Sequence, residues 1–284
     1  MKVLLHVNYY EGPAKLEQLV KIIRTVGADG VELRGSRFYD MDRNDYYAMI
    51  ADLKQRNADL EFTFGYNLHF SSGEEDARKQ EFEDFVKFLD WAKEKCGTKV
   101  LNLFTDSLVH PEYRYIDFDK NGSAMADDAL YACHGAGLTA AGKELEKRGM
   151  LGALESHNCY IHDIAKSCAK LLTYVESPAI GINYDHGNIF INRNGESIDD
   201  VFELLKGRIY YAHLKNMIKT REWQYAATHL EAGHIDTAKV LEKLAKDELK
   251  SGILAVEYAC PGDGIIAAKR DMDYIRFLRE WLNI

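Results

Sequence analysis

The sequence lacks the features of a membrane, secreted or nucleic-acid-binding protein. No stretch of its 284 residues approaches the roughly 18 consecutive apolar residues that a membrane span requires. The apolar run from Val3 to Val7 is too short for a signal peptide. The formal charge of −9 opposes binding to a phosphate backbone, which relies on clustered Lys and Arg. We therefore expect a cytoplasmic protein without membrane or nucleic-acid partners.

Paired cysteines and internal boundaries are also lacking. The cysteines are odd in number and form no CxxC pair, which favours reduced thiols over a disulfide framework or a zinc knuckle. They are Cys96, Cys133, Cys159, Cys168 and Cys260. No low-complexity tract, exact repeat or linker interrupts the chain, so residues 1–284 are predicted to form one domain.

Short β-rich apolar runs are present instead, and each is followed by an amphipathic stretch. There are eight of them: Val3–Val7, Gly30–Leu33, Leu60–Gly65, Val100–Phe104, Leu151–Glu155, Ile180–Asp185, Ile209–His213 and Ile253–Glu257. Strands that alternate with helical patterns indicate βαβ units and a parallel sheet. Eight such units predict an α/β protein with a single closed (β/α)8 barrel, a fold that commonly has about 250 residues.

Two connections are longer than a minimal barrel requires. Residues 107–123 follow the fourth strand, and residues 217–234 follow the seventh. Long structureless connections in compact domains tend to be lids or binding loops. Both are expected at the C-terminal face of the barrel, where active sites of this fold lie.

Acidic and imidazole side chains end the last four predicted strands. Glu155, Asp185, His213 and Glu257 each occupy the final position of their run. Because side chains alternate in direction along a strand, one phase points all four into the barrel mouth. The same alternation predicts further inward residues, namely Leu151, Ala153, Gly181, Asn183, Ile209, Tyr211, Ile253 and Ala255.

Three carboxylates and one imidazole form a hard, mixed oxygen and nitrogen ligand set. Such a set suits one divalent ion, and the ligand types do not select among Mn²⁺, Mg²⁺, Co²⁺ and Zn²⁺. Mn²⁺ is the favoured expectation. A solvated strand end is the competing interpretation for each residue taken alone. Four in matching phase on consecutive strands favour the metal site, because residues at barrel-strand C-termini are usually functional.

On these residues the chain resembles the xylose-isomerase-like TIM-barrel superfamily, which includes sugar phosphate isomerases and epimerases, inosose dehydratases and endonuclease IV. The resemblance covers nearly the whole chain. It is carried by Gly30-Val31-Glu32, Leu154-Glu155-Ser156-His157, Asp185-His186-Gly187-Asn188, His213-Leu214-Lys215-Asn216, Gly233-His234-Ile235-Asp236 and Val256-Glu257.

The resemblance implies a metal bound by Glu155, Asp185, His213 and Glu257, with Glu155 and Glu257 also acting as acid and base. A metal on a substrate carbonyl and its neighbouring hydroxyl acidifies the α C–H and stabilises the enediolate. The expected activity is isomerisation or epimerisation of a small sugar or keto-sugar by proton transfer. Related barrels often form dimers or tetramers, so a homo-oligomer is an expectation by analogy.

Several nearby residues are expected to bind substrate. They are His157, Lys215, His69, His234 and Asn188, with His6 and Asn8 as further residues near the mouth. The chain departs from the family pattern at Asn188 and Asn216, where many relatives have His and Asp. Asn hydrogen-bonds a hydroxyl but is a poor metal ligand, so one metal is expected rather than two.

Three alternatives remain open at this stage. A dehydratase or lyase on a polyol or keto-sugar would use the same metal and glutamates, because β-elimination also begins with α-proton removal. An endonuclease IV-type repair enzyme is a further alternative, since His69 and His110 follow the third and fourth strands, where that class places extra zinc ligands. A non-catalytic sugar-binding barrel is the third.

Overall fold

The computed structural model describes residues 1–9, 13–38, 41–221, 224–247, 249–257 and 263–284. Its strands are β1 (Lys2–His6), β2 (Gly30–Arg34), β3 (Glu61–Asn67), β4 (Val100–Phe104), β5 (Leu151–Glu155), β6 (Ile180–Asp185), β7 (Ile209–Leu214), β8 (Asn216–Arg221), β9 (Gln224–Thr228) and β10 (Ile253–Val256). Its helices are α1 (Pro13–Val26), α2 (Arg43–Arg56), α3 (Glu75–Trp91), α4 (Asp128–Lys147), α5 (Ala165–Leu172), α6 (His186–Ile191), α7 (Ile198–Leu204), α8 (Thr237–Lys246) and α9 (Gly264–Leu282).

Eight of these strands close into one parallel barrel. The order around the barrel is β1-β10-β7-β6-β5-β4-β3-β2, and each strand pairs in parallel with its neighbours. The predicted (β/α)8 fold is therefore confirmed, and each of the eight predicted runs corresponds to a barrel strand. The carboxyl ends of β5, β6, β7 and β10 meet along one side of the mouth, because these strands are consecutive in the barrel.

The core has an inner and an outer layer, as alternation along the strands requires. Leu4, Val100, Ala153, Tyr211 and Ala255 pack together inside the barrel. Residues of opposite phase pack between the sheet and the helices; Leu154, Leu254 and Val256 are examples. The predicted phase of β5 and β10 is thus confirmed, and it turns the residues at their ends towards the axis.

The inward orientation predicted for Ile209 is wrong. The pairing of β6 with β7 shifts register between Ile182 and Asn183, so that β7 carries an extra residue. Such a bulge reverses the facing of the residues before it. Ile209 accordingly packs in the outer layer, and Tyr210 packs with the barrel interior, where its ring lies against Gly181. The phase after the bulge is unaffected, and His213 still faces inward.

The connection after β7 is not the structureless segment that the sequence predicted. β8 and β9 form an antiparallel two-stranded hairpin, in which Asn216 pairs with Thr228 and Lys219 with Tyr225. The hairpin gives the backbone groups of this long connection partners of their own, which a surface loop otherwise has to find in water. It rises directly from β7, since only Leu214 and Lys215 separate His213 from β8.

Side-chain caps and left-handed residues set the helix boundaries. Asp42 accepts hydrogen bonds from the backbone N–H groups of Asn44 and Asp45 at the start of α2, and Asp127 caps α4 in the same way. The π-helical turn that continues α3 ends at Gly97, whose φ is +65°. The two aspartates accept N–H groups that the start of a helix leaves unpaired. Gly97 instead donates its N–H to carbonyls that the end of the helix leaves unpaired, those of Ala92 and Lys93.

The loop after β4 is fastened to the loop after β5. The N–H of Leu108 donates to the carbonyl of Cys159 at 2.7 Å, and the N–H of Ser123 donates to Oδ2 of Asp163 at 3.1 Å. Gly122 has a φ of +62°, and a methyl group there would collide with the Asp163 carboxylate. Asp163 is buried, and burial raises the pKa of its carboxyl to about 6.

The raised pKa of Asp163 predicts a pH-dependent contribution to stability. The carboxyl of Asp163 binds its proton more tightly in the folded protein than in the unfolded chain, where its pKa is 3.8, so it stabilises the fold fully below pH 3.8. This contribution is lost as the pH rises through about 6. A shift of this size corresponds to about 3 kcal/mol. We expect the free energy of unfolding of the wild type, minus that of Asp163→Asn, to fall by about 2 kcal/mol between pH 4.5 and 7.5 in urea titrations, because the rest of this contribution is already lost below pH 4.5.

Glu83→Gln serves as the control for this measurement, because Glu83 is exposed on α3. Its difference from the wild type is expected to be constant over the same pH range. A difference for Asp163→Asn that is equally constant would contradict the burial argument.

None of the helices formed by the described residues is long and apolar enough to cross a membrane. Cys96, Cys133, Cys159 and Cys168 are free thiols, in line with the expectation of reduced cysteines. Cys260 lies outside the described residues.

Candidate metal centre

Glu155, Asp185, His213 and Glu257 converge at the barrel mouth. Each offers one ligand atom, and the four atoms lie within 4.8 Å of one another. The first three side chains are buried, and that of Glu257 is 13% exposed. The chain thus brings together four residues that are distant in sequence, because they end consecutive strands of the barrel.

The imidazole of His213 is oriented by Glu32, at the centre of β2. Nε2–H of His213 donates to Oε2 of Glu32 at 2.7 Å. Nδ1 is then turned towards the other carboxylates: it lies 3.4 Å from Oε2 of Glu155, 3.4 Å from Oε2 of Glu257 and 3.9 Å from Oδ2 of Asp185. Nδ1 is buried and has no hydrogen-bond partner among the described residues.

These residues fit a divalent cation. Oxygen and nitrogen ligands about 2.1 Å from a six-coordinate ion lie about 3 Å apart when adjacent and about 4.2 Å when opposite. The separations of 3.4 to 3.9 Å from Nδ1 fall in that range. A histidine ligand commonly donates its second ring N–H to a carboxylate, which fixes the tautomer and orients the ring. His213 has this arrangement, because its Nε2–H donates to Glu32 and its Nδ1 has no hydrogen-bond partner among the described residues.

Three asparagines hold the carboxylates in place. Nδ2 of Asn102 donates to Oε2 of Glu155 at 2.7 Å, and Nδ2 of Asn188 donates to Oε1 of the same residue at 3.1 Å and to Oδ2 of Asp185 at 3.0 Å. Nδ2 of Asn8 donates to Oε1 of Glu257 at 2.8 Å. Such outer contacts fix the directions of ligand oxygens before an ion arrives.

Lys215 places an ammonium group inside the acidic cluster. Its Nζ lies 2.7 Å from Oδ2 of Asp185 and 2.8 Å from Oε2 of Glu257. The lysine chain passes over Gly187, where any side chain would overlap its methylenes. A cation held by Asp185 and Glu257 would therefore share its ligands with a neighbouring positive charge.

The environment moves the pKa values of the ligands apart. Burial raises the pKa of Glu155, and burial together with the neighbouring Glu257 and Glu155 charges raises that of Asp185 to about 7. For Glu257 burial is outweighed by the charge of Lys215 and by His213, which hold its pKa well below the usual range. A site whose carboxyl groups differ in this way can hold and release protons near neutral pH.

A second group of ligand-type residues adjoins the first and shares His213 with it. It comprises His6, Glu32 and His213. Burial lowers the pKa of His6 to about 4, whereas the charges of His213 and His6 outweigh burial and lower that of Glu32 to about 2. The hydroxyl of Tyr211 donates to Oε2 of Glu32 at 2.7 Å. Glu32 is therefore an ionised, fully hydrogen-bonded carboxylate that holds His213.

The predicted substrate-binding residues are only partly brought to this centre. Asn188 and Lys215 contact the ligand carboxylates directly. His157 lies at the rim, where its Nδ1–H donates to the carbonyl of Asn158 at 2.9 Å and burial lowers its pKa. Its Nε2 is then the lone-pair acceptor of a neutral ring.

Two of the predicted residues lie elsewhere, for identifiable reasons. His69 is 2.9 Å from Glu81 of α3 and lines a separate cavity with Phe82. His234 is exposed at the base of the hairpin, where its Nδ1 accepts the N–H of Lys219. Each has a partner outside the ligand group, the carboxylate of Glu81 for His69 and the backbone N–H of Lys219 for His234.

Other polar residues of the sequence have structural roles. Asn216 is buried and bonds the backbone of Met217, Leu230 and Ile235, so it fixes the segment after the hairpin. Neither His69 nor His110 belongs to a potential ligand group formed by the described residues. The extra zinc ligands on which the endonuclease alternative depends are therefore not assembled in this part of the chain.

Sequence reasoning missed the outer support of the site. The motif Gly30-Val31-Glu32 includes Glu32 without assigning it a role, and Asn102 belongs to none of the motifs above. The available signal was a polar residue at the centre of an apolar strand, Val-Glu-Leu in β2 and Leu-Asn-Leu in β4. A buried polar group requires partners, so each of these residues predicts a polar network inside the barrel.

Comparisons with known proteins agree with this fold. The family model described as xylose isomerase-like TIM barrel matches residues 20–281. No curated protein matches the chain. Solved structures do match it along nearly their whole length, at sequence identities that indicate the fold alone.

Three of these structures are informative. The probable 3-DHS dehydratase AsbF from Bacillus anthracis has a TM-score of 0.76 at 17% identity, over 97% of this chain and 99% of its own. The D-allulose 3-epimerase from Methylomonas sp. has a TM-score of 0.76 at 16% identity, over 98% of each chain. The IOLI protein, solved with a bound zinc atom, has a TM-score of 0.72 at 15% identity, over 99% of this chain and 98% of its own.

Proposed function

The chain belongs to the xylose isomerase-like TIM barrel family, and on that premise we propose that it is a divalent-metal-dependent isomerase or epimerase of a small sugar or keto-sugar. One observation carries the proposal: three carboxylates converge on the unpartnered Nδ1 of His213 at the barrel mouth. Epimerases and dehydratases are both present among the similar structures, so the family alone does not select the reaction.

Glu155, Asp185, His213 and Glu257 would hold the ion. Their donor atoms are hard, and we propose Mn²⁺, with Mg²⁺, Co²⁺ or Zn²⁺ as alternatives. When bound, a divalent ion polarises a carbonyl and its neighbouring hydroxyl and so acidifies the C–H between them. A zinc atom bound to the similar IOLI structure is compatible with such a site.

The two glutamates flank the place where the reacting carbon would lie. Glu155 ends β5 and Glu257 follows β10, with β6 and β7 between them in the barrel. One carboxylate takes the proton as the C–H bond breaks, and the electron pair moves to the carbonyl oxygen to give an enediolate. The other carboxyl group returns a proton to the opposite face, which inverts the carbon.

Neighbouring side chains prepare these transfers. Asn102 and Asn188 hold the oxygens of Glu155, whereas Asn8 and Lys215 hold those of Glu257. We propose that the ammonium of Lys215 also stabilises negative charge on a substrate oxygen, and that Nε2 of His157 accepts a hydrogen bond from a substrate hydroxyl. Burial of Lys215 strengthens that charge interaction, because water does not screen it.

A dehydratase is the second candidate function. The buried ammonium of Lys215, 2.8 Å from Oε2 of Glu257, would stabilise the negative charge that develops on a leaving hydroxyl. Elimination would begin with the same proton removal and would end with loss of water. The product, rather than the exchange of a proton, distinguishes the two reactions.

The test is incubation of Mn²⁺-loaded protein in D₂O with a panel of ketoses, aldoses and keto-inositols, followed by NMR. We expect deuterium at one carbon of a single substrate class, together with its epimer or isomer, and no exchange after EDTA treatment. A dehydrated product would favour the second candidate. Absence of deuterium from every compound with each of the four metals would overturn the proposal.

We also propose a compartment and a binding partner for the protein, namely the cytoplasm and a small sugar. The free thiols of the described cysteines are in line with the reducing cytosol. A small sugar is the proposed partner, and the net charge of −9 disfavours nucleic acid.

A further inference from the structure

Lys215 holds the two carboxylate oxygens that face the imidazole of His213. Its Nζ lies 2.7 Å from Oδ2 of Asp185 and 2.8 Å from Oε2 of Glu257. Nδ1 of His213, the nitrogen that would bind the ion, lies 3.9 Å and 3.4 Å from the same two oxygens. The ammonium of Lys215 and a divalent ion at this site would therefore use the same ligand atoms.

Hydrogen bonds from two asparagines occupy other positions on these carboxylates. Oε1 of Glu257 accepts Nδ2 of Asn8 at 2.8 Å, and Oδ1 of Asp185 accepts the backbone N–H of Asn188 at 3.0 Å. Oδ2 of Asp185 accepts Nδ2 of Asn188 at 3.0 Å in addition to the ammonium. A carboxylate oxygen has two lone-pair sites, so an ion that binds Oδ2 has to replace one of these two donors.

The ammonium is the donor that leaves, because it and the ion are both cations. An ion about 2.1 Å from Oδ2 of Asp185 would lie within about 5 Å of Nζ of Lys215. The side chain of Lys215 is only 9% exposed, so water screens little of the repulsion between the two charges. The side-chain amide of Asn188 carries no charge and would keep its hydrogen bond.

The position of Lys215 in the chain allows its ammonium to move. The residue lies between β7 and β8 and belongs to neither strand, and its four-carbon stem is flexible. Besides burial, the charge of Lys215 lowers the pKa of His157, so the ammonium is already near this residue of the rim. Rotation about the stem would move Nζ from the carboxylates towards the substrate.

We infer that Lys215 and the divalent ion compete for Oδ2 of Asp185 and Oε2 of Glu257, and that binding of the ion transfers the ammonium to the substrate side of the mouth. The inference rests on the proposed function, since it takes the ion to bind at this centre. Lys215 stabilises the carboxylates before the ion binds. It becomes available to a substrate oxygen only afterwards, so the ion binds before the substrate.

Lys215→Met tests the competition through the affinity for Mn²⁺, measured by competition with a fluorescent chelator. Met keeps most of the length of the side chain and removes its charge. We expect this variant to bind Mn²⁺ at least about tenfold more tightly than the wild type, because the ion no longer has to displace an ammonium that little water screens. An affinity equal to that of the wild type, or weaker, would overturn the inference.

Lys143→Met is the matched control. Lys143 is an exposed residue of α4, and its Nζ lies 4.0 Å from Glu176. The substitution changes the net charge as much as Lys215→Met does, and it should leave the affinity for Mn²⁺ unchanged. An equal gain in both variants would mean that net charge alone sets the affinity, and the inference would fall.

Thermal unfolding separates competition from a purely structural role of the lysine. In EDTA, Lys215→Met should unfold at a lower temperature than the wild type, because the clustered carboxylates lose a positive partner. With saturating Mn²⁺ the difference should become smaller, since the ion supplies that charge. A variant that folds only with Mn²⁺ would support the inference, whereas the same decrease with and without Mn²⁺ would contradict it.

Two crystal structures of the wild type, one grown with EDTA and one with Mn²⁺, show the lysine directly and need no variant. We expect Nζ of Lys215 about 3 Å or less from both oxygens in EDTA, and more than about 3.5 Å from both when Mn²⁺ is bound. An ammonium that still contacts both oxygens beside bound Mn²⁺ would overturn the inference.

These outcomes separate the inference from the proposed function. Affinity, unfolding and the position of Nζ require no turnover, so a lysine displaced by Mn²⁺ would support the inference even if no compound exchanges deuterium. Deuterium exchange by the Mn²⁺-loaded protein, with Lys215 still on both oxygens, would retain the function and overturn the inference.

Discussion

Replacing Glu155 or Glu257 with Gln is expected to lower kcat for deuterium exchange by about 10²–10⁴-fold, the usual contribution of a general acid or base. Gln keeps an oxygen that can contact the ion but cannot take a proton. Both variants should lose exchange, because each glutamate serves one face of the reacting carbon. The measurement is exchange by NMR at saturating Mn²⁺, with metal content checked by elemental analysis.

Glu61→Gln is the matched control for these two variants. Glu61 begins β3 at the opposite end of the barrel, where it pairs with Lys2 and Lys99. It should retain exchange at nearly the wild-type rate. Full exchange by Glu155→Gln or by Glu257→Gln would show that the glutamate in question is not an acid or base.

Replacing Glu32 with Gln is expected to weaken Mn²⁺ binding by about 10–100-fold, as is usual when the carboxylate behind a histidine ligand is lost. Glu32 holds Nε2–H of His213 at 2.7 Å, and its charge makes Nδ1 a better donor to the ion. The pKa of Glu32, lowered to about 2, keeps it ionised at every pH used for assay, so the loss should be similar from pH 6 to 8. Competition with a fluorescent chelator measures the affinity.

Tyr211→Phe separates the charge of Glu32 from its hydrogen bonds. It removes one neutral hydrogen bond to the same carboxylate and should have a much smaller effect on affinity. An affinity of Glu32→Gln within twofold of the wild type would mean that His213 does not depend on this carboxylate.

The barrel could be predicted because its signals are local. Eight short apolar runs each form one strand, and alternation within β5 and β10 is enough to turn Glu155 and Glu257 inward. The four potential ligands could be found for the same reason, since each ends its own strand. Their convergence then follows from the order of parallel strands around the barrel.

The remainder depends on contacts between distant segments. Glu32 meets His213 across the barrel interior, 181 residues away, and no spacing within either strand predicts that contact. The bulge in β7 is a single extra residue, and nothing in Ile209-Tyr210-Tyr211 distinguishes it from regular strand. His69 follows its strand as expected, but its partner among the described residues is Glu81 of α3, which the spacing within β3 does not predict.

The hairpin is a different kind of omission, because its signal was present. Residues 216–221 and 224–228 are two short segments of similar length separated by two residues. Their apolar side chains are adjacent, in Met217-Ile218 and Tyr225-Ala226-Ala227, and do not alternate with polar ones, so the pattern of a half-buried strand does not apply to them. Pairing with each other, rather than burial against a core, is what makes them strands.

The claim on which everything else depends is that one divalent cation is bound by these four side chains. A crystal structure of the Mn²⁺-loaded protein, with anomalous scattering recorded at the manganese edge, tests it most directly. The account predicts one peak per chain at this site, about 2.0–2.4 Å from oxygens of Glu155, Asp185 and Glu257 and from Nδ1 of His213. A peak elsewhere, or none at this site at saturating Mn²⁺, would contradict it.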